Sequence, residues 1–571
     1  MSHRPARTFA ALASITLGVL LSLAGCPTTP TGNDNTGGGG SNNNGSTGNS
    51  NSNSNGNTNT NTNGNDNGAT VAPSIDDIPN ESIPAGVTYV GPTPSLAAGS
   101  APITWSLDEG PAGMTIDAAS GVVTWPEPPA GDAPQLVSIK AANPAGDDSE
   151  VWLLTIETVE LQAIRRVSVS RTGEQGNQES NGGSISADGS RIAFASRAGN
   201  LLTNDANDTF DVFVIDVGPQ TVRRCSVRPG GAQTAQASFT PALSGDGAVV
   251  VFRSSDPGLV AGDTNNRVDI FAQVLATGAT ELISRRSASQ IGNDASDRPS
   301  VSADGRFVAF ESLATNLVSG DTNAVSDVFV RDRSGAATTR VSVSVGGSQA
   351  NGASRAASIS ADGRYVAFAS DASNLVGDDD NGVTDIFVRD RNTGATIRVS
   401  LSSTGQETDG ACANPHIAGD NGRYIVFESD ATNFTSGGTG GRRHIYRHDR
   451  TTGETTLVSA NRAGNPCNNS AASPRITPDG RYVVFHSRAS DLVEGDSNGF
   501  FDVFRRDTSD GTTIRISAKS ATFQGNNASI AASISDDGRF VTFDSKATNM
   551  VDNDLNEFTD VFLRDLAIEI E

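Results

Sequence analysis

Apolar residues over the later two thirds of the chain fall in short runs, without helical periodicity, and the runs return at a fixed interval. One unit shows the pattern. A small-residue run spans 356–360, a continuous apolar run 365–369, an acid-bounded run 385–390 and a last run 396–400. Five apolar residues without alternation are what a strand shows when both faces are buried. Asp362-Gly363 between the first two runs predicts a type I′ hairpin, whose central residues both need positive φ. Asn392-Thr393-Gly394 marks a second turn. The unit therefore reads as four short antiparallel strands.

The turn glycine recurs as Gly189, Gly247, Gly305, Gly363, Gly422, Gly480 and Gly538, at spacings of 58, 58, 58, 59, 58 and 58. The aromatic of the third run recurs as Phe213, Phe271, Phe329, Phe387, Tyr446, Phe504 and Phe562, at the same spacings. Two independent markers thus give seven copies. One four-stranded sheet cannot bury both faces alone, so neighbours stacked about an axis must supply the core. Arg166-Val167-Ser168 lies 58 residues before Arg224-Cys225-Ser226, in fourth-strand register but ahead of the first full set. The last copy ends soon after Asp565 without a fourth strand. The economical expectation is closure of the ring by the N-terminal strand, which leaves no open sheet edge. The motifs S-x-D-G-(K/R)-x-(I/V)-A-F and D-(I/V)-(F/Y)-V-x-D resemble the TolB-like, PD40 (WD40-like) propeller repeat. The resemblance covers about 400 residues and implies an all-β, seven-bladed β-propeller over 163–571. It implies no particular activity, because this fold carries scaffolds, binding proteins and enzymes alike.

The preceding segments differ in kind. Arg4 and Arg7 precede an apolar stretch, 9–21, that is short for a membrane span, and Leu23-Ala24-Gly25-Cys26 follows. This resembles the lipobox of bacterial lipoproteins and implies cleavage of signal peptide 1–25 and lipidation of Cys26. Pro27 in place of Asp then implies the outer membrane or cell surface. Residues 26–69 are Asn, Gly, Ser and Thr with almost nothing apolar, the composition of a disordered tether. Residues 70–158 hold Trp105, Trp125 and Trp152 among alternating runs and Gly/Pro turns, as a small β-sandwich would. The run 103–125 resembles the Ig-like domains of bacterial surface proteins, which implies a spacer or adhesion module.

Charge and candidate chemistry narrow the function. A net charge of −24 argues against nucleic acid, which needs a basic stripe. No G-x-S-x-G elbow occurs. His416, His444, His448 and His486 all fall in the fifth and sixth copies, where an alternative enzyme site would lie. Cys412 and Cys467, in loops of those same copies, are a candidate disulfide in an oxidising compartment. Cys225 takes the place of Val341 and reads as a small buried hydrophobe. The most repeated constellation is D-x-N-x-x-x-D: Asp205/Asn207/Asp211, Asp263/Asn265/Asp269, Asp321/Asn323/Asp327, Asp379/Asn381/Asp385, Asp496/Asn498/Asp502 and Asp554/Asn556/Asp560. Carboxylate, amide and backbone oxygens are the ligands of Ca²⁺, the candidate cofactor. The same residues also build Asx turns, and repetition does not choose between the two. The expectation is a monomeric, lipid-anchored envelope protein that binds an envelope protein or glycan on its long-loop face. An extracellular polysaccharide- or peptide-acting enzyme is one alternative, and a surface protein rigidified by calcium is another.

Overall fold

The computed structural model describes residues 70–571 apart from 85–88, 127, 129–133, 158–162, 435–438, 521–522 and 569–571; Cys26, the signal segment and the tether lie outside the described residues. Every regular element among the described residues is a β-strand.

In the segment 74–157, Glu81–Pro84, Gly146–Glu157, Gln135–Asn143 and Thr104–Glu109 form a four-stranded sheet in that order. Tyr89–Val90, Val123–Trp125 and Thr115–Ile116 form a three-stranded one. Trp105, Trp125 and Trp152 meet in one core with Tyr89, Val123, Val137, Ile139 and Leu154. Buried indoles need a partner for N–H. Trp152 Nε1 donates to Tyr89 Oη at 3.2 Å and Trp125 Nε1 to the Ala112 carbonyl at 3.1 Å.

The seven copies form seven four-stranded antiparallel sheets. The first comprises Ser180–Ile185, Arg191–Ser196, Asp211–Asp216 and Thr221–Arg224. The seventh comprises Ser529–Ile534, Phe540–Ser545 and Asp560–Asp565, with Ile164–Arg166 as its outer strand. Arg166 lies opposite Phe562 in that pairing. The repeat aromatics of the second and third strands stack in pairs, Phe368 on Phe387 at 5.9 Å for instance. Full burial of one such ring contributes about 1.5–3 kcal/mol.

Among the described residues, seven hydrophobic clusters lie between neighbouring sheets of the repeats. An open row of seven sheets would have six. The seventh cluster joins Val561 and Leu563 of the last sheet to Ile192, Phe194, Phe213 and Ile215 of the first.

Two local expectations are corrected. Gly363 alone of the Asp362-Gly363 pair has positive φ, +73°. Its N–H donates to the Ser360 carbonyl at 2.9 Å, and the Asp362 carboxylate takes Ser360 Oγ at 2.6 Å and Arg364 N at 2.9 Å. The connection is therefore an Asx-stabilised turn followed by a left-handed glycine, not type I′. The fourth strand of that copy is Ala395–Arg398, shorter than 396–400, because Ser400 turns inward to donate to Asp385.

Candidate functional site

The six acidic loops leave the second strand of their sheets and end at the first residue of the third. In repeat one, Asp211 is fully buried there. Its Oδ1 accepts from Ser226 Oγ at 2.5 Å and Thr234 Oγ1 at 2.9 Å, and its Oδ2 from Asn207 Nδ2 at 2.9 Å. Arg224 places its Nη1 3.2 Å from Asp205 Oδ1 and 3.5 Å from Asp211 Oδ2. Gln233 Nε2 donates to the same Asp205 Oδ1 at 2.8 Å. The cation between the carboxylates is thus the chain's own arginine.

The knot returns around Arg340 with Asp321 and Asp327, Arg398 with Asp379 and Asp385, and Arg515 with Asp496. In repeat seven the arginine comes from the N-terminal strand, as Arg166 pairs with Asp554 and Asp560 at 3.5 Å each. Asn323, Asn381, Asn498 and Asn556 each donate to the second Asp and to a backbone carbonyl. In these five copies a guanidinium occupies the place between the carboxylates that a metal ion would take. Burial, then the neighbouring Asp, pushes Asp379 and Asp496 up to about 6 despite their arginines. Among the described residues no three His, Cys, Asp or Glu side chains are grouped to hold a metal ion. The signal that reading the loops alone missed is the arginine two before the fourth-run serine, in Arg224-Cys225-Ser226 and its copies.

Repeats two and five break the rule differently. Repeat five has Leu457 in place of the arginine and has also lost the acidic loop, with His444 at the position of Asp211. His444 Nδ1 lies 3.2 Å from Ser459 Oγ, and burial pushes its pKa down, so a neutral ring replaces a carboxylate. Repeat two keeps Asp263, Asn265 and Asp269 but has Leu282 in place of the arginine.

The first strands of all seven sheets line a central cavity of about 600 Å³. Each carries a bulge at its third residue. Gly182, Thr240, Arg298, Ala356, Asn414, Ser473 and Ala531 all sit there at positive φ. Three of the bulge N–H groups are capped by acids from the preceding sheet. Ala356 N donates to Glu311 at 2.7 Å, Ser473 N to Glu428 at 2.7 Å and Gly182 N to Asp544 at 2.8 Å. Burial pushes Asp544 up to about 7, against the two glycine amides that hold it down. At the Asp-Gly end, backbone bonds from Ala187 N to Gly245 O, Ala303 N to Ala361 O and Asp536 N to Ala187 O link neighbouring sheets.

The four histidines are not brought together. His416 lines the cavity, where its Nδ1 accepts from Ile476 N at 3.3 Å; burial, then the Arg475 charge, pushes its pKa well down. His448 is buried against Thr455 Oγ1 at 2.9 Å, and His486 packs edge-on to Phe501. The cysteine pairing is also corrected. Cys225, Cys412 and Cys467 are free and buried. Cys412 packs between sheets four and five with Sγ 3.2 Å from Ser429 Oγ. Cys467 packs between sheets five and six, with Sγ 3.1 Å from the Asn469 carbonyl and 3.7 Å from His444 Nδ1.

Exposed large apolar side chains include several of repeats six and seven. Phe500, Phe523, Ile530, Leu555 and Phe558 are exposed there, Leu555 by 82%.

The strand pairing and the seven shared cores define the class, a β-propeller repeat protein. No protein-family model matches the chain, and no curated protein matches its sequence. Among solved structures it is similar to a protein of Agrobacterium tumefaciens described as TolB. That match has 18% identity and a TM-score of 0.33, over 60% of this chain and 94% of that one. It is also similar to prolyl oligopeptidase B of Galerina marginata, at 9% identity and a TM-score of 0.38, over 65% of this chain and 47% of that one. The WD40 repeats of RRP9 match at 10% identity and a TM-score of 0.36, over 70% and 97%.

Proposed function

We propose that the chain is a lipid-anchored protein of the bacterial envelope, outer membrane or cell surface, that binds an envelope protein or glycan on its long-loop face. In this reading Cys26 is the anchor, 26–69 the tether and 70–158 an Ig-like spacer. The repeats are a seven-bladed propeller closed by Ile164–Arg166. The observation that carries it is the exposure of Phe500, Phe523, Leu555 and Phe558 in the loops of repeats six and seven and of Ile530 at the start of the first strand of sheet seven. Aromatic and apolar side chains left in solvent are the makings of a recognition surface, and flat rings suit sugar faces and apolar side chains equally.

The test incubates the purified chain with a panel of envelope and matrix glycans and with cross-linked envelope extracts, scoring both capture and turnover. Capture lost in Phe500→Ala/Phe523→Ala/Phe558→Ala, with unchanged Tm, is the expected result. Capture that survives the triple variant removes the reading. Turnover that depends on His416 or His486 would favour an enzyme at repeats five and six.

A further inference from the structure

Repeat two retains the carboxylates of the arginine knot without the arginine. Leu282 stands 58 residues after Arg224 and 58 before Arg340, and Ile291 stands likewise between Gln233 and Gln349. Both are apolar and pack in or against the core between sheets one and two. Asp269 is fully buried; its Oδ1 accepts from Ser284 Oγ at 2.5 Å and its Oδ2 from Asn265 Nδ2 at 2.6 Å. Asp263 is 8% exposed, and its Oδ1 is buried with no hydrogen-bond partner. That is the same atom that faces the guanidinium in Asp205, Asp321, Asp379, Asp496 and Asp554.

The other copies also show the third oxygen of this place. The arginine Nη2 donates to the carbonyl just before the first Asp, Asn204 at 3.3 Å, Gly320 at 3.3 Å and Asn553 at 3.4 Å. Gly262 holds that position in repeat two and, like Gly320, has positive φ. Repeat five is the internal control: where the arginine is lost there, the carboxylates are lost with it. Repeat two keeps two buried carboxylates and supplies no cation of its own. Arg228 is taken by Asp256 at 2.9 and 3.1 Å, and Arg267, within the loop itself, pairs with Asp294 at 3.7 Å.

We propose that the acidic loop of repeat two is a single divalent-cation site of Ca²⁺ type, with Asp263 Oδ1, Asp269 Oδ2 and the Gly262 carbonyl as protein ligands and water completing the shell. An all-oxygen set selects hard cations, and an irregular loop with few fixed ligands suits Ca²⁺ better than the strict octahedron of Mg²⁺. With two carboxylates the affinity is of order 10⁻⁴–10⁻³ M.

The test is calorimetric titration of the full chain with CaCl₂, together with thermal unfolding in CaCl₂, MgCl₂ and NaCl at matched ionic strength. One Ca²⁺ per chain is expected, with a selective Tm rise of about 1–3 °C at ~10 mM. Leu282→Arg/Ile291→Gln, which installs the internal cation of the other repeats, should fold with unchanged or higher Tm and lose the Ca²⁺ response. Asp321→Asn, in an arginine-filled loop, should keep it. Several ions per chain, equal effects of the three salts, or full Ca²⁺ binding by the double variant would each overturn the proposal. So would a Tm that ignores Ca²⁺ and rises only on acidification, since Asp263 would then be holding a proton in place of a metal.

Discussion

Gly363→Ala separates the two reasons for a glycine in the repeat turn. The first is backbone conformation: at φ +73° an added Cβ costs about 1–2 kcal/mol. The second is a neighbour. The new Cβ would lie 2.2 Å from Phe307 Cδ2 and 2.7 Å from Cγ, in the preceding repeat. That ring is held between the Arg306 and Arg391 guanidinium groups, at 4.6 and 4.4 Å, so relief requires moving the packing between sheets. Overpacking of this kind costs about 1–3 kcal/mol. Gly405 is the control, with φ +77° and nothing within 4 Å of an added Cβ. An unfolding entropy of about 2.1 cal/mol/K per residue over ~400 cooperative residues makes 1 kcal/mol worth about 1.2 °C. Gly363→Ala should therefore lower Tm by ~3–6 °C and Gly405→Ala by ~1–2 °C, measured by differential scanning calorimetry of the full chain. Equal shifts would refute the claim that the turn glycine is an inter-sheet contact.

Three further outcomes follow from the same geometry. Asp544, raised to about 7, and Asp269, Asp379 and Asp496, raised to about 6, bind protons more tightly folded than unfolded. Their contribution is present below the ordinary carboxylate pKa and is lost as pH rises from about 4 to about 7, so Tm should fall between pH 5 and 8 and fall less in Asp544→Asn. Burial pushes the Cys225 and Cys412 thiols up to about 12 and Cys467 up to about 11. All three should resist a thiol reagent until denaturant is added, and non-reducing peptide mapping should find Cys412 and Cys467 unlinked. Deleting residues 159–172 removes Arg166 from Asp554 and Asp560 and the outer strand from sheet seven. Size-exclusion chromatography and calorimetry should show dimerisation or unfolding, whereas deleting 27–158 should leave the repeats folded.

The order of four short strands, their number of copies and the outer place of 164–166 were legible in sequence because they are properties of period and register. An apolar run such as Tyr365–Ser370 admits one conformation once both its faces are covered. The meaning of the acidic loop was not legible, because Asp205 and Arg224 are 19 residues apart and nothing local says that the guanidinium returns over the loop. Cys412 and Cys467 looked like loop residues for the same reason. Strand one starts earlier than its apolar run, at the buried position that serine fills in most other repeats, so Cys412 points into a core. The bulge that gives all seven first strands a left-handed residue is invisible in sequence, since Thr240, Arg298 and Ser473 share no preference for it. Acids on the neighbouring sheet hold several of these bulges in place. The sequence by itself determined the repeat, its strands and their register, because period and turn chemistry are local. Tertiary structure decided which charges meet, because the arginine and its two carboxylates become neighbours only when the fourth strand folds back beside the third.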